Sequence, residues 1–98
     1  MITEFLKTGK DNAVPSKVLA KMIGCRNVRD LQTLISQERQ QGAVILSTSR
    51  NGGGYYLPAD AEEVREFIRT LDTRARHTFL ALRSARQYLK EIENVDEN

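Results

Sequence analysis

The sequence has too few cysteines and histidines for the common disulfide and metal frameworks. Its 98 residues contain one cysteine, one histidine and no tryptophan. A single cysteine, Cys25, excludes an internal disulfide and a cysteine-based zinc cluster of ordinary spacing. A lone thiol also fits a reducing compartment. We therefore predict a cytoplasmic protein without a metal or other cofactor.

Long apolar runs and recognisable catalytic groups are also missing. No run approaches the roughly 18 apolar residues of a membrane span. The N-terminus MITEFLKTGK has no long apolar segment of the kind that secretory signals contain. The sole histidine, His77, has neither a second histidine nor an acid near it between residues 73 and 90. We expect no membrane span, no evident small-molecule ligand and no enzymatic activity.

The length and the charge distribution suit one small domain with an appendage. At 98 residues, two independent cores are not expected. The net charge is only +2, but residues 1–59 hold eight lysines and arginines against four acids. Residues 73–90 hold five bases and no acid. Positive charge is therefore concentrated in two stretches, as expected if a polyanion is a partner.

Two helices joined by a short turn are predicted in the first half of the chain. The first covers residues 16–23 and follows Pro15, a residue type that suits the start of a helix. Gly24 is expected to end it in the left-handed conformation. Asn27 is a good N-cap for a second helix over residues 28–41.

The predicted helix 28–41 has one apolar face and one polar face. Apolar residues recur on one side at helical spacing, at Val28, Leu31, Leu34 and Ile35. The opposite side has hydrogen-bond donors and acceptors and no apolar anchor, at Arg29, Thr33, Ser36, Gln37 and Gln40. Such a face suits base recognition in a DNA major groove; an ordinary solvated helix surface is the other interpretation.

A β-hairpin is predicted around the stretch STSRNGGGYYLP. Short β-prone runs at 43–47 and 55–57 flank three glycines directly, which is less typical of a slack linker. No GxGxxG pattern is present and no Lys-Ser/Thr follows, so a phosphate-binding loop is not expected. The glycines instead indicate a hairpin tip, residues 48–54, in which Arg50 is the only charge.

The C-terminal third is predicted to be one long helix, 59–93, followed by a disordered tail, 94–98. A seam with 3.5-residue spacing indicates dimerisation through an antiparallel pair or coiled coil, with Val64, Ile68, Leu71, Ala75, Leu82 and Leu89 as its members. Two weak positions, Thr78 and Ala85, interrupt the apolar seam. A fold-back near Thr73 and a basic arm for nucleic acid or a partner remain alternatives.

The layout of helices and hairpin resembles a known domain. The segment PSKVLAKMIGCRNVRDLQTLISQERQQGAVILSTSRNGGGYYL is similar to the N-terminal winged helix-turn-helix DNA-binding domain of biotin repressors, and to small winged-helix proteins of prophages. The matching features are Leu19-Ala20, Gly24, Gly42 and the Gly54-Tyr55-x-Leu57 pattern. The resemblance covers residues 1–58. No effector domain follows it, so control by a ligand is not implied.

The resemblance implies a fold and a function. The fold is mainly α with a small β-hairpin, a winged helix-turn-helix plus a long C-terminal helix. The function is sequence-specific binding of double-stranded DNA by a small dimeric transcriptional regulator or phage-type factor. Helix 28–41 would enter the major groove, and the wing, residues 48–54, would contact the minor groove. A protein–protein interaction module without DNA binding is the alternative.

Eleven side chains are predicted to contact DNA. The major-groove set is Arg29, Thr33, Ser36, Gln37 and Gln40. A second set of phosphate contacts comes from the first helix and the turn, namely Ser16, Lys17, Lys21, Arg26 and Asn27. Arg50 completes the set at the wing.

The resemblance also implies which hairpin side chains face the core. Tyr55 and Leu57 are expected to face it, so that Tyr56, Val44 and Leu46 form an outward apolar patch. We expect the last helix or a second subunit to cover that patch.

Overall fold

The computed structural model describes residues 1–95. Three α-helices lie in this range: α1 (Ser16–Ile23), α2 (Val28–Gln40) and α3 (Ala61–Val95). Two strands, β1 (Leu46–Thr48) and β2 (Gly54–Tyr56), pair antiparallel. Short 3-10 turns cover Ile2–Phe5, Lys10–Asn12 and Arg50–Gly52. The predicted fold class, mainly helical with a small hairpin and a long C-terminal helix, is confirmed.

The chain divides into two compact units. The first, Met1–Phe67, contains α1, α2, the hairpin and the first turns of α3, and the second begins at Ile68. Asn94 and Val95 lie within α3, so the prediction of a tail from residue 94 is wrong at these two positions. The rest of the predicted tail, residues 96–98, lies outside the described residues. Thr73 lies inside α3, where a fold-back had been an alternative.

The ends of α1 and α2 follow from local backbone chemistry. Gly24 ends α1 in the left-handed region at φ 93°, and the Cys25 N–H donates to the carbonyl oxygen of Ala20 at 2.8 Å. The side chain of Asn27 accepts a hydrogen bond from the Asp30 N–H at 2.8 Å, which is the predicted N-cap. The turn between the two helices is therefore closed by hydrogen bonds on both sides.

The core of the first unit lies between the helices, the N-terminal segment and the hairpin. Its fully buried members are Leu19, Leu31, Ile35 and Ile45. Both carboxylate oxygens of Glu38 accept from the Ile2 N–H at 3.0 Å, which ties the N-terminal segment to α2. The apolar face of α2 is thus held on a packed core, and its orientation is fixed.

Strand β2 is bonded to backbone on both of its edges. On one edge it pairs with β1, with Ser47 opposite Tyr55. On the other, the Val14 N–H donates to the Tyr55 carbonyl at 2.8 Å, and the Tyr55 N–H donates to the Val14 carbonyl at 3.0 Å. Beyond the strand end, the Leu57 N–H donates to the Lys7 carbonyl at 2.8 Å. The hairpin is therefore anchored to the chain that precedes α1.

The two faces of the hairpin differ from each other. Tyr55 and Leu57 pack against the core cluster, as predicted. On the opposite face, Tyr56 is 3% exposed and Leu46 is 1% exposed. The prediction of an outward patch is correct for Val44, which is 52% exposed. Tyr56 and Leu46 are neighbours across the strand pair, lie outside the core cluster and are buried within the single chain, in agreement with the expectation that this patch is covered.

Because Tyr56 is buried, the free energy of unfolding is expected to decrease at alkaline pH. Burial, and then the carboxylates of Glu63 and Glu66, raise the pKa of its hydroxyl above the usual value of 10.0. In the unfolded chain this tyrosine ionises near pH 10, whereas in the folded chain it stays protonated to higher pH. Its stabilising contribution is therefore complete below about pH 10 and is lost as the pH rises through the folded-state pKa.

We expect the free energy of unfolding to decrease between pH 8 and pH 10.5 by less in Tyr56→Phe than in the wild type. Urea denaturation at the two pH values measures this difference. Tyr55→Phe is the matched control, because it removes a tyrosine hydroxyl from the opposite face of the same strand. Equal losses in Tyr56→Phe and in the wild type would contradict the burial argument.

Candidate nucleic-acid interface

The exposed side of α2 is a continuous polar surface, which we call the polar face. All of its predicted members are exposed to solvent, namely Arg29, Thr33, Ser36, Gln37 and Gln40. From Arg29 to Gln40 the helix advances about 16 Å at ~1.5 Å per residue. Leu31 and Ile35 lie buried on the other side. The polar face is therefore presented by a helix that cannot rotate without unpacking the core.

Both acids of α2 are engaged within the first unit. The Asp30 carboxylate pairs with Arg26 at 3.3 Å, and the Glu38 carboxylate accepts from the Ile2 N–H. The five residues of the polar face include no acid, but Asp30 borders this face and lines a shallow groove together with Thr33 and Gln37. Within residues 1–95, no carboxylate forms an ion pair with Arg29. This face presents one unneutralised cation near the N-terminus of α2, where the helix dipole is also positive.

The hydroxyl of Thr33 already has one partner. It donates to the carbonyl oxygen of Arg29 at 3.2 Å, one helical turn earlier. Its oxygen lone pairs remain available as acceptors. In this rotamer Thr33 suits a donor on a base edge, for example an exocyclic amino group, better than an acceptor.

Arg39 has a structural role that the sequence did not reveal. Its Nε and terminal nitrogen donate to the carbonyl oxygen of Ile45 at 2.9 and 2.6 Å. Its guanidinium carbon also lies 5.2 Å from the centre of the Phe67 ring. These contacts join α2 to the hairpin and to the start of α3, so this arginine stabilises the unit.

The predicted phosphate contacts divide into free and engaged side chains. Lys17 and Lys21 are exposed on α1, and Ser16 is half-buried at its first turn. In contrast, Arg26 is paired with Asp30, and Asn27 caps α2 through its side-chain oxygen. The latter two support the geometry of α2 whether or not they touch a phosphate.

A shallow groove joins the turn to the polar face. Arg26 and its partner Asp30 line this groove together with Thr33 and Gln37. Cys25 also lines this groove, is half-buried and packs against the core. Cys25 therefore contributes to the packing of the turn against the core.

Arg50 lies at an ordered hairpin tip. Its N–H donates to the Thr48 hydroxyl at 3.1 Å, and its carbonyl accepts from the Gly53 N–H at 2.9 Å. Asn51 and Gly52 both have positive φ, 51° and 89°, which turns the chain tightly. The Arg50 side chain is exposed, and no acid in residues 1–95 pairs with it.

The third glycine of the tip has an intramolecular role. A Cβ at Gly54 would lie 2.7 Å from the carbonyl oxygen of Val14 and 2.9 Å from its carbonyl carbon. Only glycine allows this approach between the two backbones. The missing side chain of Gly54 therefore makes room for the Val14 backbone.

The second unit presents its predicted dimerisation residues to solvent. Every side chain from Ile68 to Asn94 is exposed, including Leu71, Ala75, Leu82 and Leu89. Val64, the first predicted member of the seam, lies in the first unit and is half-buried. His77 is exposed as well.

No family model, curated protein or solved structure matches this chain. No helix among residues 1–95 is long and apolar enough to cross a lipid bilayer. Within the same residues, no three side chains of the metal-binding types come together.

Proposed function

We propose that this protein is a dimeric winged-helix DNA-binding protein, a small transcriptional regulator or phage-type factor of the cytoplasm. The observation that carries the proposal is the polar face of α2. It is exposed, the neighbouring acid Asp30 is paired with Arg26, and it stands on a helix whose other side is fixed in the core. The backbone bonds from Val14 to β2 support the winged-helix resemblance, because they anchor the hairpin beside the helices.

The polar face provides the chemistry of base recognition. The major groove is about 12 Å wide and admits one α-helix. Arg29, near the helix N-terminus, suits the two acceptors of guanine or a phosphate, and Gln37 and Gln40 suit adenine. Thr33 and Ser36 contact a base edge or a phosphate.

The surrounding cations would hold the helix in its groove. Lys17 and Lys21 of α1 are free to contact phosphates on one side, together with the hydroxyl of Ser16. Arg26 and Asn27 contribute from the turn while they maintain their contacts with α2. Arg50, at the hairpin tip, reaches the adjacent minor groove.

Dimerisation would double this contact surface. The second unit exposes an apolar seam on a helix with no core of its own, which supports pairing with another helix. Two copies related by a two-fold axis recognise a two-fold related site.

The experiment that tests the proposal is a low-salt gel shift with random duplex, followed by repeated selection of the bound sequences. We expect a shifted band and enrichment of a site with inverted half-sites. Absence of any shift at low salt contradicts DNA binding.

A protein–protein interaction module is the second candidate. The net charge of +2 is modest for a DNA-binding protein of 98 residues, which favours this alternative. This alternative is supported if no duplex binds at low salt while the protein captures a defined protein partner. Substitution of the polar face should then abolish binding of that partner.

A further inference from the structure

The exposed part of α3 keeps a heptad spacing of apolar residues, with the weaker positions Thr78 and Ala85 in its middle. From Ile68 onwards these residues alternate at spacings of three and four, which places them on one seam of the helix. One row of the seam is Ile68, Ala75, Leu82 and Leu89. The other row is Leu71, Thr78, Ala85 and Ile92.

We infer that the partner of this seam is a second copy of the chain running antiparallel, with Thr78 of one copy opposite Leu82 of the other. This inference rests on the proposed homodimer and specifies its geometry. In this register each layer joins residues of similar size, except that Leu82 covers Thr78. The layers are Ile68 with Ile92, Leu71 with Leu89, Ala75 with Ala85, and Thr78 with Leu82.

The shape of the surface fits this register. A shallow, mainly apolar depression on α3 is lined by Leu71, Arg74, Ala75, Thr78, Phe79 and Leu82. It lies where the seam has its smallest residues. In the antiparallel pair the larger Leu82 of the second copy lies over Thr78 and enters this depression, as a knob enters a hole.

The first flank of the seam provides charge complementarity. It consists of Asp72, Phe79 and Arg86, each following a residue of the seam. A two-fold axis perpendicular to the helices brings this flank against the same flank of the second copy. Asp72 then lies within about 3 Å, measured along the axis, of the level of Arg86. The symmetry creates this ion pair twice, and the two Phe79 rings meet at the axis.

The second flank is also complementary to itself. It consists of Arg74, Ala81 and Tyr88. In the antiparallel pair Arg74 lies beside Tyr88 of the second copy, a cation–π pair that also forms twice. The two Ala81 residues face each other at the axis, where their small size allows the helices to approach closely.

A parallel pair with the same seam lacks these contacts. A two-fold axis along the helices brings the first flank of one copy against the second flank of the other. Arg74 then lies beside Phe79, and Ala81 lies beside Arg86, so no opposite charges meet. Since flanking charges set the orientation of paired helices, the sequence of α3 favours the antiparallel pair.

Disulfide trapping distinguishes the orientations. In a Cys25→Ser background, Ala75→Cys chains and Ala85→Cys chains are unfolded and refolded together, then oxidised. The antiparallel register brings residue 75 against residue 85, so we expect cross-linked dimers that contain one chain of each kind. Chains refolded and oxidised separately should remain largely uncross-linked. Cross-links within each separate variant, or none in the mixture, overturn the proposal.

Charge reversal provides a second test that needs no cross-link. Asp72→Arg and Arg86→Asp each replace two attractive pairs by two repulsive ones, so each should raise the dimer dissociation constant about tenfold. The double variant restores the attraction and should return to within about twofold of the wild type. Arg83→Asp is the matched control, because residue 83 lies off the seam and off both flanks.

Sedimentation equilibrium without DNA measures these constants. A monomeric wild type, or a double variant no tighter than the single ones, overturns the proposal. Because no DNA is present, failure here is distinct from failure of DNA binding, which the selection experiment measures. A mixed complex with another protein, but no self-association, would likewise contradict the assignment of a second copy.

Discussion

Arg29→Ala and Arg50→Ala are each expected to weaken binding to the selected duplex by about 10- to 100-fold, or ~1–3 kcal/mol. Both guanidinium groups are exposed, and neither is neutralised by an acid in residues 1–95. Because Arg29 lies on α2 and Arg50 at the hairpin tip, their losses should add approximately in the double variant. Fluorescence anisotropy with labelled duplex at constant salt measures the affinities.

Matched control variants show whether a loss of DNA affinity comes from the lost contact, from the lower positive charge or from a loss of dimerisation. Lys7→Ala removes one exposed positive charge from the same unit, and Gln32→Ala removes an exposed polar side chain from α2 outside the polar face. Both should bind within about twofold of the wild type, as expected for surface changes away from a site. Light scattering should show that the Arg29 and Arg50 variants are still dimers. If both bind DNA as tightly as the wild type, the assignment of the site is wrong.

Gly54→Ala is expected to destabilise the first unit by about 2–5 kcal/mol, the sum of backbone strain and overpacking. The added Cβ would lie 2.7 Å from the Val14 carbonyl oxygen, which is bonded to the Tyr55 N–H at 3.0 Å. Either that bond or the β1–β2 pairing must shift to admit it. Since a small domain is stable by only about 5–15 kcal/mol, such a loss is severe.

Gly52→Ala is the matched control for this steric argument. Gly52 also has positive φ, 89°, but a Cβ there meets nothing within 4 Å. Its substitution should cost about 1 kcal/mol from backbone strain alone. Urea denaturation of both variants measures the difference, and a loss in Gly54→Ala no greater than in Gly52→Ala would show that the contact with Val14 does not require glycine.

The parts of the fold that depend on local chemistry were predictable from the sequence. Gly24 and Asn27 mark the ends of α1 and α2 within one residue, because a left-handed stop and an N-cap act on neighbouring peptide groups. The polar face of α2 was predictable for the same reason, since helical periodicity alone separates Arg29 and Gln40 from Leu31. The hairpin followed from two β-prone runs around the glycines.

Contacts between distant parts of the chain were not predictable. Val14 joins β2 through a single bridged residue, which leaves no alternating pattern in the sequence. Arg39 is a charged residue outside the apolar positions of α2, yet it binds the Ile45 carbonyl and the Phe67 ring. Tyr56 had the alternation of an outward residue, but its exposure depended on what packs over that face of the hairpin.

The candidate site was likewise predictable only in part. Exposure of the polar face followed from the helix period, whereas the engagement of Arg26 and Asn27 depended on the geometry of the turn. Turn residues at a helix N-terminus have that helix's own N–H groups and acids as their nearest partners. Residue type alone predicted phosphate contacts for Arg26 and Asn27, because it does not show that these nearby groups compete with a phosphate for the same side chains.

The salt dependence of duplex affinity tests the central claim most directly. Each phosphate neutralised by a protein cation releases counterions and contributes a slope of about −0.9 to the plot of log K against log salt concentration. With Lys17 and Lys21 on phosphates, we expect a slope near −2 per protomer, with Lys17→Ala shallower by about 1. An affinity that does not change between about 50 and 200 mM salt, or no binding at the lower concentration, would contradict DNA binding through this surface.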